Sequence, residues 1–161
     1  MLIRDASTAD WPYIWPFLHQ IVAAGDTFTY DPQMSEVEAK EMWMVRAPGR
    51  VVVAAIDGEV VGTANMYANR GGPGAHIASA SYMVDPAHQG RGVGLAQVND
   101  SLQWARTHGF QGMQFNAVAQ TNTRALKLYG ALGFTVLGTV PGGFRHPRYG
   151  DVGLLVMFCS L

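Results

Sequence analysis

Three glycines spaced two apart, Gly90, Gly92 and Gly94, follow an apolar run that stops at Asp85-Pro86 and lead into a helical pattern that starts near Leu95. Glycines let a backbone approach a ligand closely, and the free N–H groups of a first helical turn sit at the positive end of the helix dipole. The segment Gln89-Gly90-Arg91-Gly92-Val93-Gly94-Leu95 therefore has the makings of an anion cradle, suited to phosphate. Two nucleotide loops do not fit it: no Gly-Lys-Ser/Thr ending is present, and Gly-x-Gly-x-Gly is not the Gly-x-Gly-x-x-Gly of a dinucleotide fold. The five histidines show no metal-ligand spacing such as His-Glu-x-x-His, so no metal is expected. The single cysteine, Cys159, lies in the closing apolar run and reads as a buried thiol on a strand.

A cradle of this kind needs a strand before it and a helix after it, and the sequence supplies both. Ile77 to Val84 reads as a strand ended by Asp85-Pro86, and a helix runs from about Gly92 to His108 with Leu95, Val98, Leu102 and Ala105 on one face. Upstream, Leu2 to Asp5 is a short strand. Ser7 to Asp10 caps a helix bearing Trp11, Ile14, Phe17, Leu18, Ile21 and Val22, which Pro16 is expected to kink or split. The segment Gly25 to Pro32 has neither period, and Ser35-Glu36-Val37-Glu38 opens a second helix ending near Arg46. Val51 to Ile56 and Glu59 to Tyr67 flank Asp57-Gly58, a strong hairpin signal.

Downstream, Met113 to Ala119 is a strand, and Asn122 caps a helix through Leu132 on which Ala125, Leu128, Tyr129 and Leu132 share a face. Phe134 to Val140 and Val152 to Cys159 complete the strands, with a turn-rich stretch from Pro141 to Asp151 between them. The order β-α-α-β-β-β-α-β-α-β-β makes one domain, residues 1–161, of α/β class with a mixed sheet.

Composition narrows the class further. With 48% hydrophobic and 14% charged residues the chain should fold around a single core, and a net charge of −1 offers no basic stripe for nucleic acid. The longest strongly apolar run, Val51 to Ile56, falls far short of a membrane span, and the start of the chain lacks signal-peptide shape. One cysteine cannot form an internal disulfide, which suits the cytoplasm. Neither nucleic acid nor membrane is an expected partner.

The stretch Gln89-Gly90-Arg91-Gly92-Val93-Gly94 resembles the Gln/Arg-x-x-Gly-x-Gly/Ala acyl-CoA signature of the GNAT family of N-acetyltransferases. About 30 residues on, Asn122-Thr123-Arg124-Ala125-Leu126-Lys127-Leu128-Tyr129-Gly130-Ala131-Leu132-Gly133-Phe134 resembles that family's next motif, and two ordered motifs are far more specific than one. The element order resembles the GNAT fold as well, with central strands that splay around the cofactor.

That resemblance implies acetyl-CoA as the acyl donor and direct attack on the thioester by an amine, with no covalent enzyme intermediate. Backbone groups at Met83 and Val84 would pair with the pantetheine arm, and Val84 N–H would serve the developing oxyanion. N–H groups from Gln89 through Leu95, namely those of Gln89, Gly90, Arg91, Gly92, Val93, Gly94 and Leu95, would meet the pyrophosphate. Asn122 would contact the pantetheine or order a water, and Tyr129 would protonate or hydrogen-bond the departing thiolate.

Gly143-Phe144-Arg145-His146 followed by Asp151-Val152-Gly153 resembles the phosphinothricin- and amino-acid-acetylating branch, which makes His146 the first candidate for base or acceptor contact. That branch commonly carries a glutamate on the central strand, where this chain has Ser79. His76 is a second histidine candidate, and Asp26, Phe28 and Tyr30 lie in the loop where the family builds its acceptor pocket. The implied partner is a small-molecule amine, such as an amino acid or analogue. A protein N-terminus or lysine, and a non-catalytic acyl-CoA sensor, are the alternatives. Similar enzymes are commonly homodimers.

Overall fold

The computed structural model describes all residues, Met1–Leu161. Seven strands and four α-helices follow the expected order: β1 (Leu2–Asp5), α1 (Trp11–Ala24), α2 (Glu36–Trp43), β2 (Arg50–Ile56), β3 (Glu59–Ala68), β4 (Ile77–Val84), α3 (Val93–Thr107), β5 (Gly112–Ala119), α4 (Thr123–Ala131), β6 (Thr135–His146) and β7 (Gly150–Ser160). They form one sheet in the order β1-β2-β3-β4-β5-β7-β6, antiparallel throughout except where β4 runs parallel to β5.

Alternation along the strands sorts the helices to opposite faces. On β2, Val51 and Val53 pack with Ile14, Leu18 and Trp43 of α1 and α2, while Val52 packs with Val98, Leu102 and Ala105 of α3. Ile14, Leu18 and Trp43 are fully buried, and a buried side chain of that size contributes roughly 1.5–3 kcal/mol. Asp57 and Gly58 both take positive φ, 52° and 87°, as a tight right-twisted hairpin requires.

Three sequence expectations need correction. Pro16 does not split α1 into two helices: it lies on the exposed side, where the carbonyl of Pro12 that loses its N–H partner can reach water, while Ile14, Phe17 and Leu18 anchor the buried side. Helix α2 stops at Trp43 rather than Arg46. The Trp43 carbonyl accepts from Asn65 Nδ2 (3.1 Å), and its indole donates to Thr63 Oγ1 (3.0 Å), which in turn donates to the Val52 carbonyl, so the helix end is tied to the sheet. Strand β6 continues past Val140 to His146, extending the ladder with β7 through a stretch read as turn.

Candidate active site

Strands β4 and β5 pair only at Ile77 with Gly112 and Ala78 with Met113, and then part. From Ser79 to Val84, β4 keeps β3 on one edge while its other edge borders a cleft of about 800 Å³. A register break in β5 between Phe115 and Val118 accompanies the divergence. The first turns of α3 and α4 both line this cleft, so two positive helix ends meet in one place.

The cradle is built as its glycines require. Gly90 (φ 81°) and Gly92 (φ 79°) are left-handed, and a Cβ at either would touch nothing, so their requirement is conformational. Gly94 has ordinary helical backbone and faces Leu128 and Val84, where an added Cβ would stand 3.6 and 3.9 Å from their side chains. Closer in, Gly62 lets α3 pack on β3: a Cβ there would lie 2.9 Å from both Gln97 and Val93. Gln97 Nε2 donates to the Met83 carbonyl at 3.3 Å, fixing that strand against α3.

Gln89, Gly90, Gly92, Val93, Gly94 and Leu95 line the cleft together with Met83 and Val84; Arg91 is exposed and does not. Arg124, in the first turn of α4, does line it, and its guanidinium donates to Gln89 Oε1. A cation in the first turn opposes the helix dipole, a mismatch visible in the sequence that the motif alone did not bring out. Asn122 Oδ1 accepts from Ala125 N–H at 3.2 Å, capping α4 at the edge of the cleft.

Tyr129 is held among Phe115 (centroids 4.6 Å apart), Phe134 and Tyr82, and it lines the cleft. Burial alone raises its phenol well above the ordinary value. Beneath it, Ser101 Oγ donates to the Val98 carbonyl, so the Tyr82 hydroxyl is the donor in the 2.6 Å bond between them.

At the other end of the cleft, the α1–α2 loop brings Asp26, Thr27, Phe28 and Tyr30 over β3 and β4, opposite Tyr67, Ser79 and Ser81. Phe28 and Tyr30 stack with centroids 5.2 Å apart. Burial raises the Tyr30 phenol, and its bond to the Ser81 hydroxyl opposes that rise. Ser79 is buried, and Thr27 Oγ1 is buried with no partner in the chain.

Neither histidine candidate lines the cleft. His146 ends β6 at the tip of the β6–β7 hairpin, where its Nδ1 accepts from the N–H groups of Arg148 (3.0 Å) and Tyr149 (3.3 Å) and its ring lies against Tyr149. The strand extension carries it there. His76 is exposed in the turn before β4.

Residues 15–134 match the Acetyltransferase (GNAT) family. The chain belongs to it. This GNAT chain is therefore an N-acetyltransferase of the acyltransferase class, with the mixed α/β GNAT fold. A GCN5-related N-acetyltransferase from Kribbella flavida is 53% identical, with a TM-score of 0.97 over 99% of this chain and 97% of its own. The L-amino acid N-acetyltransferase AaaT of Escherichia coli is 29% identical over 147 residues, 86% of this chain and 85% of its own. The structure of yncA from Salmonella typhimurium, solved with its cofactor acetyl-CoA, is 26% identical with a TM-score of 0.83 over 100% and 94% of the two chains. Among the residues that line the cleft without having been expected at the site are Arg124, Tyr67, Ser81 and Asn116.

Proposed function

We propose that this enzyme transfers the acetyl group of acetyl-CoA to the amine of a small molecule about the size of an amino acid or its analogue. The observation that carries the reading is the convergence of two helix N-termini on a cleft between parted strands, with Tyr129 in its wall. When bound, acetyl-CoA supplies an activated acyl thioester. The residues present fit it: left-handed Gly90 and Gly92 and the free N–H groups of α3 suit a diphosphate, with Arg124 beside them. The cleft-facing edge of Met83 and Val84 offers backbone groups to an amide-bearing arm and to a developing oxyanion.

Tyr129 keeps its proton on the hydroxyl over the whole working pH range. Since its acidity is weaker than that of a thiol, near pKa ~8.5, full proton transfer to a thiolate is uphill, so its part is hydrogen-bond donation. Asp26 is the one carboxylate lining the cleft, and the acceptor's proton passes to it directly or through water.

The test is acetyl-CoA-dependent thiol release across amines, amino acids and short peptides, with CoA binding measured on the same sample. Turnover of a small amine with product mass raised by one acetyl group supports the reading. CoA binding with turnover of peptides alone would refute it.

A further inference from the structure

We infer that the acceptor amine carries no carboxylate beside its amino group: the acceptor end of the cleft is built for an alkyl or arylalkyl amine and against an α-amino acid. The inference rests on the small-molecule reading above and narrows it to a chemical class.

Only two residues lining the cleft carry formal charge, Asp26 and Arg124. Arg124 belongs to the cradle end, where it is engaged by Gln89. The acceptor end is left with one charge, the negative Asp26 at its exposed rim, and otherwise neutral groups: the stacked Phe28 and Tyr30, and the residues Thr27, Tyr67, Ser79 and Ser81. Arg70, at the start of the β3–β4 connection, is exposed and donates to the Asn69 carbonyl (3.0 Å).

A carboxylate brought into this end would lose water without gaining a cation. Hydroxyls satisfy part of its hydrogen bonding, but an unpaired charge out of water is costly, and Asp26 repels it besides. An ammonium meets the opposite situation. Asp26 attracts it, the stacked aromatic pair accepts an apolar body, and the hydroxyls of Tyr67, Ser79 and Ser81 line the space where the amine sheds its proton. The same Asp26 thus draws the amine in and turns the amino acid away.

Matched pairs separate the classes: 2-phenylethylamine against phenylalanine, and 3-(methylsulfanyl)propylamine against methionine. For each, kcat/KM is measured by thiol release with product mass, and affinity by calorimetry on CoA-saturated protein. Each amine should exceed its amino acid by about tenfold or more in both readouts, with phenylalaninamide behaving as an amine. Asp26→Asn should shrink the ratio severalfold. Equal or better use of either amino acid overturns the inference while leaving the small-molecule reading intact. If that preference disappears in Arg70→Ala, Arg70 is the carboxylate site and the inference is equally overturned. CoA binding without turnover of any of these compounds overturns the small-molecule reading and the inference with it.

Discussion

Arg124, in the first turn of α4, donates to the side-chain carbonyl of Gln89, in the glycine turn that precedes α3. The bond joins two motifs 35 residues apart and holds a guanidinium beside two helix N-termini, where the helix dipole alone would disfavour it. Such a placement makes sense when an anion shares the site.

Arg124→Ala should therefore weaken CoA binding by about tenfold at low salt, with the deficit narrowing as salt is raised. Calorimetry at two ionic strengths measures it. Affinity unchanged at both would detach Arg124 from the anion site.

Tyr129→Phe should lower kcat by roughly a hundredfold or less, since a hydrogen bond is lost rather than a full proton donor, with little change in acetyl-CoA affinity. Because burial raises the phenol, the wild type should show no loss of activity from Tyr129 ionisation below about pH 10. A basic limb near neutrality that vanishes in Tyr129→Phe would contradict the assignment.

The two glycines of the cradle should fail in different ways. Gly92→Ala puts a side chain on left-handed backbone and should cost about 1–2 kcal/mol of stability, read as a lower melting temperature. Gly94→Glu, on ordinary helical backbone, should leave the fold intact and reduce CoA affinity by placing a carboxylate at the anion site. A folded Gly94→Glu protein of full affinity would argue against the cradle.

With its Nδ1 engaged by the hairpin turn, His146→Ala should leave kcat and the pH profile within about twofold of wild type and act on the stability of the β6–β7 tip instead. Turnover assays from pH 6 to 9 decide this. A lost acidic limb would return His146 to the chemistry.

Asp10 anchors the start of α1. It accepts both arms of Arg4 (2.9 and 2.6 Å) and the Ser7 N–H (2.7 Å), and the Arg4 guanidinium holds its carboxyl far below the usual range. A depressed folded pKa stabilises above the unfolded value near 4 and loses that contribution as pH falls toward the folded one. Asp10→Asn should thus cost about 1–3 kcal/mol at pH 7, and the gap from wild type should close below pH 4. Melting curves at pH 7, 4 and 3 follow it.

The sequence displayed elements whose signals are local. Asp57-Gly58, the Ser35–Glu38 capping box and the Asn122 cap each act within a few residues, and each appears in the structure where it was read. The glycine turn before α3 was legible for the same reason, with Gly90 and Gly92 on left-handed backbone. What stayed hidden depends on contacts between distant segments: Trp43 ends its helix through Thr63 and Asn65, and Arg124 finds Gln89 across a fold. His146 was misplaced because Pro141, Gly142 and Gly143 look like a turn, whereas Phe144 is buried and pairs with Val152, pulling the strand onward. The lining at the loop end of the cleft, too, exists only once Tyr67, Ser79 and Ser81 come together from two strands with the loop after α1.

The parted strands carry a thermodynamic consequence. Only two residue pairs join β4 to β5, so along the rest of that seam the sheet has no ladder of its own. A molecule whose amides occupy the seam completes a structural element as well as bringing a reactant, and it binds the folded chain alone. Resistance to unfolding then grows with the logarithm of its concentration, by about 2.7 kcal/mol at a hundred times the dissociation constant. On the proposed function, the stability of the folded chain is in that sense tied to the supply of its own reagent.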